Sequence, residues 1–382
     1  MGNVHNPYDL AQLQSLPLAA KERMSEQRLK AWFDSWNRYK LVNKVTGRVV
    51  YKASIEDPKL TKNQYIAEVS GGACYVSFSG GKDSTVLADL TARFCKKSGY
   101  KLVLFFVNTG LEYPEIQKHV KTFHKYLESK YDMEIELVIE RPEMRFDQVL
   151  KTYGYPVISK EVAHKLHDAT VSKANGYENS YVLRQIDGTY VSKNGKKNLI
   201  SIAKYGYLLD APFNVSHKCC DVMKKRPAHK FGAESGRVPI IGTMAAESAL
   251  RRQRWIVYGC NAFGNKKNPS SQPLSFWTEQ DIYEYIVKYD LPIASVYGDV
   301  VRDEKTDKYT TTGATRTGCV FCLFGAHCKG DARFLSLKET HPRQYNYCIN
   351  GGQYDESGKW IPSKEGLGLG KVLDYIGASD KY

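Results

Sequence analysis

No stretch of this sequence stays apolar for the roughly 18 to 20 residues that a membrane-crossing helix requires, so no transmembrane helix is expected. The opening residues, "MGNVHNPYDLAQLQSLPLAAKERM", lack both a basic leader and an apolar signal core, which predicts a cytoplasmic protein. Asn6 stands where a myristoylation signal wants Ser or Thr. No internal repeat or low-complexity segment stands out. The nine cysteines are odd in number, and without a secretory signal a disulfide framework is not expected.

What is present is a chain of 382 residues, 42% hydrophobic and 25% charged, ordinary for a globular protein with a large core. Its formal net charge is +14, spread in short clusters such as "KCCDVMKKRPAHK" and "LRRQR". A surface of this sign suits nucleotides, nucleic acid and other polyanions.

From Leu18 to Trp36 the apolar residues Leu18, Met24, Leu29, Trp32, Phe33 and Trp36 predict an amphipathic helix whose aromatic face packs on the main domain. Residues 40–70 read as a polar insertion, with a hairpin in "YKLVNKVTGRVVYKAS" turning at "TG". Then strands and helices alternate. "CYVSF" is a buried-type strand, "DSTVLADLTARFCKKSG" a helix ended by Gly99, "KLVLFFV" a second strand and "IELVI" a third. Continuous apolar strands between helices predict an α/β fold with a parallel sheet covered on both faces. "VPIIGT" at 238–243 adds a strand, and "WTEQDIYEYIVKYD" a helix capped by Thr278. Residues 170–210 suit a hairpin or loop excursion, with "NG" at 175–176 and 194–195, and "GLGLG" at 366–370 reads as a loop. The expected organisation is a helical N-terminal extension over 1–70, a nucleotide-binding α/β domain over 71–300, and a cysteine-rich region and tail over 301–382.

The strand "CYVSF" runs into "SGGKDST". Glycines at a strand-to-helix junction let backbone N–H groups approach an anion, and the following helix offers its positive end. Lys82 adds a charge; Ser77, Ser79, Ser84 and Thr85 add hydroxyls beside Gly80, Gly81 and Asp83. The "GxxxxGK[ST]" spacing of a Walker loop is absent.

"SGGKDS" resembles the signature of the PP-loop ATP pyrophosphatase superfamily. "VNTGLEYPE" at 107–115, "CCDVMKKRP" at 219–227 and "SFWTEQDIYEYI" at 275–286 are similar to motifs of its phosphoadenosine phosphosulfate (PAPS) reductase branch. The resemblance spans roughly residues 72–330. It implies an adenine-nucleotide α-hydrolase-like sheet with ATP at the carboxyl ends of the strands, and cleavage between its α- and β-phosphates with Lys82 and Asp83 as the catalytic pair. It further implies that Ser79 to Ser84 hold the phosphates and that Asn108, Thr109 and Gly110 line the adenosine side. Glu112 is a candidate for Mg²⁺ or a ribose hydroxyl.

"TGCVFCLFGAHC" places Cys319, Cys322 and Cys328 at C-x2-C-x5-C spacing, and the Cys219–Cys220 pair supplies a further thiolate. Spacing alone leaves zinc and an iron–sulfur cluster open, since both take four cysteines. The resemblance implies a [4Fe–4S] cluster, with zinc the lesser alternative. The expected ligands are Cys220, Cys319, Cys322 and Cys328, with Cys219 as the alternate.

Two features depart from the family's reductases. The segment after Cys348 holds no Glu-Cys-Gly-type motif. In "GTMAAESALRRQR", Glu247, Ser248 and Arg251 fit the substrate motif, but Met244 and Ala245 replace paired arginines that would grip a sulfonucleotide. Both departures favour ATP as the nucleotide, with adenylation of an acceptor and sulfur transfer to it. Related proteins thiolate tRNA or DNA, so a nucleic-acid acceptor and a sulfur-donor protein are the expected partners, with Lys160 in "YGYPVISKEVAHK" facing the substrate. The alternatives are a divergent PAPS or adenylylsulfate reductase, and a nucleotide-sensing or DNA-binding regulator without turnover.

Overall fold

The computed structural model describes residues 4–37, 39–52, 60–67, 72–178, 180–191, 195, 202–265 and 268–382. In chain order, helices α1 (Pro7–Gln14) and α2 (Leu18–Trp36) lead into strands β1 (Tyr39–Asn43), β2 (Val49–Lys52) and β3 (Gln64–Ala67). The central alternation is β4 (Cys74–Ser77), α3 (Lys82–Ser98), β5 (Leu102–Val107), α4 (Pro114–Tyr131) and β6 (Ile135–Glu140). Helices α5 (Phe146–Tyr153), α6 (Lys160–Ala174), α7 (Tyr181–Ile186) and α8 (Arg226–Ser235) follow, then β7 (Val238–Ile241), α9 (Ala249–Tyr258) and α10 (Glu279–Lys288). A hairpin of β8 (Val300–Asp303) and β9 (Lys308–Thr311) precedes α11 (Arg333–Thr340), α12 (Pro342–Ile349) and α13 (Leu369–Tyr375). Among the described residues no helix is long and apolar enough to cross a membrane.

The chain folds into two compact units of interleaved segments. The first comprises Met1–Asn108, Glu112–Arg141 and Pro227–Thr317; the second comprises Thr109–Leu111, Pro142–Arg226 and Gly318–Tyr382.

The first unit is the α/β fold read from the apolar strands. Its sheet runs in the order β6-β5-β4-β7, every pair parallel. β4 and β5 are buried along nearly their whole length, whereas β6 exposes half of its residues, as an edge strand does. Helix α3 carries apolar residues on almost every face because sheet and neighbouring helices enclose it, and it stops at Gly99, whose φ of 71° supplies the left-handed cap. Helix α2 packs as its sequence predicts: Leu29, Trp32 and Phe33 are buried in the main core, with Phe33 against Phe94 and Tyr100. The insertion after it is a three-stranded antiparallel sheet, β2-β1-β3, whose β1–β2 hairpin turns at Thr46–Gly47 as read from the sequence.

The second unit is mainly helical. Within 170–210 the described residues form the end of α6, α7 and a 3₁₀ helix at Ala203–Asp210; Asn194, one of the predicted turn residues, lies outside them. Tyr155 pairs with Val215 and its hydroxyl donates to the Leu367 carbonyl at 3.0 Å, joining two of the unit's three segments, Pro142–Arg226 and Gly318–Tyr382. "GLGLG" is a loop only in part, because α13 begins at Leu369.

Candidate phosphate-binding site

Strand β4 has β5 on one side and β7 on the other, so connections leave it in both directions. The carboxyl ends of β4 and β7 therefore form a topological switch point, where ligands of open α/β sheets bind. Two predicted motifs emerge there: "SGGKDS" after β4 and "GTMAAES" after β7.

Phe78, buried against Phe123, anchors the start of the loop, and its N–H donates to the Phe105 carbonyl at 2.8 Å. Gly80 then adopts φ 75° and passes over α4 so closely that a Cβ would lie 2.8 Å from Ile116 Cγ2 and 2.9 Å from Val120 Cγ2. Gly81 is the N-cap of α3 and supplies no side-chain cap. The Ser79 and Ser84 hydroxyl oxygens lie 3.1 Å apart, Ser79 N–H donates to Ser84 Oγ at 3.2 Å, and Ser84 Oγ–H donates to the Gly81 carbonyl at 2.9 Å. Gly242 packs onto this turn, since a Cβ there would meet the Asp83 carbonyl at 3.2 Å. Gly80→Ala is expected to cost about 1–3 kcal/mol from the left-handed backbone alone, with the clash adding to it, and urea denaturation checks this.

Lys82 is only 4% exposed. Its Nζ donates to the Thr315 carbonyl at 3.1 Å, pairs with Glu279 Oε1 at 3.0 Å and lies 3.8 Å from Asp83 Oδ1. Burial works against its charge, but Asp83, Tyr283 and Glu279 together hold its pKa above the usual lysine value. Its backbone N–H donates to the Tyr297 hydroxyl at 3.1 Å, and that hydroxyl meets Thr317 Oγ1 at 2.6 Å.

Asp83 Oδ1 is buried without a hydrogen-bond partner. Burial pushes the Asp83 carboxyl up, and Glu279 adds to the rise, against the pull of Lys82, Arg316 and Arg251. Arg251 feels the same cluster: burial and the repulsion of Arg316 lower it while Asp83 supports it. Three cationic side chains thus act on one loop carboxylate, an arrangement suited to a polyphosphate and its divalent cation.

The other residues of the "GTMAAES" segment serve this arrangement. Met244 and Ala245 are buried, and the Met244 N–H donates to Glu247 Oε2 at 2.8 Å. Glu247 also pairs with Arg251, and Ser248 caps α9 by accepting the Arg251 N–H at 3.3 Å. Glu247 and Ser248 hold Arg251 rather than reach outward themselves.

Behind the loop, Thr85 Oγ1 meets His119 Nε2 at 3.0 Å. Burial pushes the His119 imidazole down to about 4 from an ordinary value of 6.5. A folded-state pKa below the unfolded one means the unfolded chain binds the proton first, so stability falls as pH drops from 6.5 towards 4. The loss approaches about 3 kcal/mol, and urea denaturation across that range, with His119→Gln flattening the slope, checks it.

The remaining predicted nucleotide contacts divide between the units. In the first, the Asn108 N–H donates to the Glu140 carbonyl at 2.8 Å just past β5, and Glu112 begins the next segment of that unit. In the second, buried Thr109 accepts the Leu111 N–H at 3.1 Å, and Gly110 takes φ 74°.

The second unit holds the cysteine constellation. Cys219 and Cys220 precede a π-helical turn, Asp221–Lys225, that leads into α8. Burial pushes the Cys219 thiol well up, and Cys220, Cys319 and Cys322 add to the rise. Cys322 is raised by burial and by Cys220, while the Phe324 N–H, Arg333 and Lys224 pull it back. Electrostatic influence thus links Cys219 with Cys220, Cys319 and Cys322, and Cys322 with Cys220. Cys328 is exposed. Among the described residues no three His, Cys, Asp or Glu side chains already stand at metal-ligand geometry. Four reduced thiols with flanking cationic groups are nonetheless the right donor chemistry for a cluster or for zinc.

Ile158 pins this loop. It holds φ 63°, costly for a β-branched residue, while its carbonyl accepts the Gly325 N–H at 2.8 Å and it bridges to Phe324. Two residues later Lys160, exposed, opens α6 behind the Ser159 cap.

Sequence reasoning missed Glu279, Tyr297, Thr315, Arg316 and Thr317. Glu279 lay inside a quoted motif, and "TTTGATRTG" at 310–318 carries a hydroxyl- and glycine-rich pattern around one arginine.

Parallel sheet, glycine loop and cation cluster together define a nucleotide-binding α/β protein. The chain belongs to the phosphoadenosine phosphosulfate reductase domain family, whose model matches residues 73–171 and 163–323, more than half of it. A search of curated proteins gives no significant match. Among solved structures the chain is similar to phosphoadenylyl-sulfate (PAPS) reductase from Candida auris in a phosphate complex. Identity is 13% over 59% of this chain and 77% of that one, with a TM-score of 0.30. It is also similar to NMN synthetase from Francisella tularensis, at 11% identity over 58% and 63%, TM-score 0.25. A third is the U34-tRNA thiolase NcsA from Methanococcus maripaludis with its [4Fe-4S] cluster, at 15% identity over 59% and 60%, TM-score 0.28. The chain spans less than two thirds of the length of the latter two. Likeness at this level says nothing of substrate or activity.

Proposed function

We propose that this protein binds ATP at the Ser79–Thr85 loop, releases pyrophosphate and transfers AMP to an oxygen of a nucleic-acid acceptor, tRNA or DNA, to prepare it for sulfur transfer. The observation that carries the reading is the convergence of Lys82, Arg251 and Arg316 on Asp83 at the carboxyl end of β4. A triphosphate has the charge to occupy such a cluster. The acceptor oxygen attacks the α-phosphorus, the bond to the α,β-bridging oxygen breaks, and pyrophosphate leaves with the electron pair. Lys82 neutralises that departing charge, and the first-turn backbone of α3 points its positive end the same way. Asp83, with its orphaned Oδ1, is the group to hold Mg²⁺.

A sulfonucleotide substrate suits the site less. Met244 and Ala245 face the core where paired arginines would be needed, and Cys348 is fully buried with its thiol pushed well up by burial. Cys219, Cys220, Cys319 and Cys322 would hold a [4Fe–4S] cluster, which when bound supplies sulfur or electrons. Neighbouring Lys224 and Arg333 would offset its negative charge.

The test is incubation of anaerobically purified protein with α-labelled ATP and Mg²⁺, with and without tRNA or DNA. AMP formation that rises with nucleic acid is the expected result. ATP binding without AMP under every condition would reject adenylation, and sulfite release from PAPS with a thiol donor would identify a reductase instead.

A further inference from the structure

One face of α2 is bonded to the elements that carry the phosphate loop. Lys21, Glu22 and Ser25, at relative positions 0, 1 and 4, share that face. Lys21 is 1% exposed, and its Nζ reaches both oxygens of Asp281 at 2.8 and 2.7 Å. The same Asp281 carboxylate accepts the Thr278 N–H at 2.6 Å and the Thr278 hydroxyl at 2.7 Å, closing the capping box that starts α10. Glu279, the first of the two residues enclosed by that box, holds Lys82 Nζ. Ser25 Oγ accepts the indole N–H of fully buried Trp277 at 3.0 Å and donates to the Pro273 carbonyl at 2.8 Å. At the other end of α10, Glu22 accepts from Lys288 at 2.7 Å and Tyr289 at 2.6 Å. Glu22 also accepts from Arg93 of α3 at 2.8 Å, so the helix that begins with Lys82 is tied in as well.

We propose that α2 is a positioning element for the phosphate loop: Lys21 and Ser25 fix the first turn of α10 so that Glu279 holds the Lys82 ammonium in place. The functional consequence rests on the reading of Lys82 as the group that meets the departing pyrophosphate. Neither Lys21 nor Ser25 touches that group; both act through Asp281, Trp277 and Glu279. An N-terminal helix that merely covered the core would need only its apolar face, Leu29, Trp32 and Phe33. Three buried polar contacts aimed at residues 273–281 are a further, specific investment.

The experiment follows Lys82 directly. Full-length protein without nucleotide is treated with trace acetic anhydride, and peptide mass spectrometry reads the acetylation rate of each lysine. Lys96, whose Nζ donates to the Asp132 carbonyl at 2.6 Å at the far end of α3, is the internal reference for general loosening. Ser25→Ala and Glu279→Gln are each expected to change the Lys82 rate by about threefold or more relative to Lys96, as coupled neighbours do. The double variant should add nothing beyond Glu279→Gln. Lys21→Met should match Ser25→Ala, and Lys21→Arg should restore the native rate. An unchanged Lys82 rate in Ser25→Ala, an equal change at Lys96, or effects that multiply in the double variant would overturn the proposal. ATP binding measured on the same wild-type sample separates the two readings: its absence rejects the proposed function, while the acetylation pattern still decides the role of α2.

Discussion

Lys82→Ala is expected to lower ATP-to-AMP conversion by roughly 10²–10³-fold, the usual consequence of removing one preorganised donor from a developing anion. The position explains the size of the effect. The ammonium is almost completely buried, held by Glu279 and the Thr315 carbonyl, and lies 5.4 and 5.9 Å from the centroids of the Tyr283 and Tyr297 rings. On the proposed reading, an ammonium fixed in advance needs little reorganisation when pyrophosphate departs, which places its electrostatic benefit on the transition state. Deleting the ammonium also leaves Asp83 and Glu279 facing the phosphates without their shared counter-ion, so ATP affinity drops with turnover. Lys82→Arg should recover little, because a planar fork cannot replace a point charge set between two rings. Labelled-ATP turnover measures both variants, with thermal melting to confirm that each is folded. AMP formation at the native rate in Lys82→Ala would mean that the loop does not meet the leaving group.

The fold was legible where burial is two-sided. "CYVSF" and "KLVLFFV" could only be central strands, and "SGGKDST" between strand and helix could only be a tight, amide-rich turn. Thr278 was legible as a cap because capping chemistry is local, spanning the three residues to Asp281. What stayed hidden is what long-range packing decides. Glu279 reads as an ordinary first-turn acid, and only its 3.0 Å approach to Lys82, nearly two hundred residues away, gives it a role. Arg316 carries no periodicity, so its share in the Asp83 cluster appears only once the β8–β9 hairpin returns the chain to the loop. Asn108, Thr109 and Gly110 straddle a division invisible in the sequence, with Asn108 in the first compact unit and the other two in the second. Met244 and Ala245 show how the physical setting of a motif position, here burial in the core, waits for the structure.

The cysteines carry the second large prediction. The set expected from the sequence is Cys220, Cys319, Cys322 and Cys328, with Cys219 as the alternate. The prediction here takes the alternate, with Cys219 in place of Cys328. Cys219 senses Cys220, Cys319 and Cys322, and Cys322 in turn senses Cys220, whereas Cys328 stands exposed beyond the Gly325 turn. Burial and mutual charge keep these thiols protonated, so a metal that binds them must displace their protons, which makes metal uptake pH-dependent and couples it to folding. On anaerobic reconstitution with iron and sulfide, Cys219→Ser, Cys220→Ser, Cys319→Ser and Cys322→Ser should each bind iron at least about tenfold more weakly, since even outer-shell changes weaken metal sites 10- to 100-fold. Cys328→Ser should retain the native iron content. Elemental analysis of the five variants checks this. Loss of iron in Cys328→Ser with retention in Cys219→Ser would restore the contiguous set. One zinc per chain in the native protein with no uptake of iron would instead mark a closed structural site. Sulfur transfer would then need a donor outside the chain, while the ATP half of the reaction, resting on Lys82, would stand unchanged.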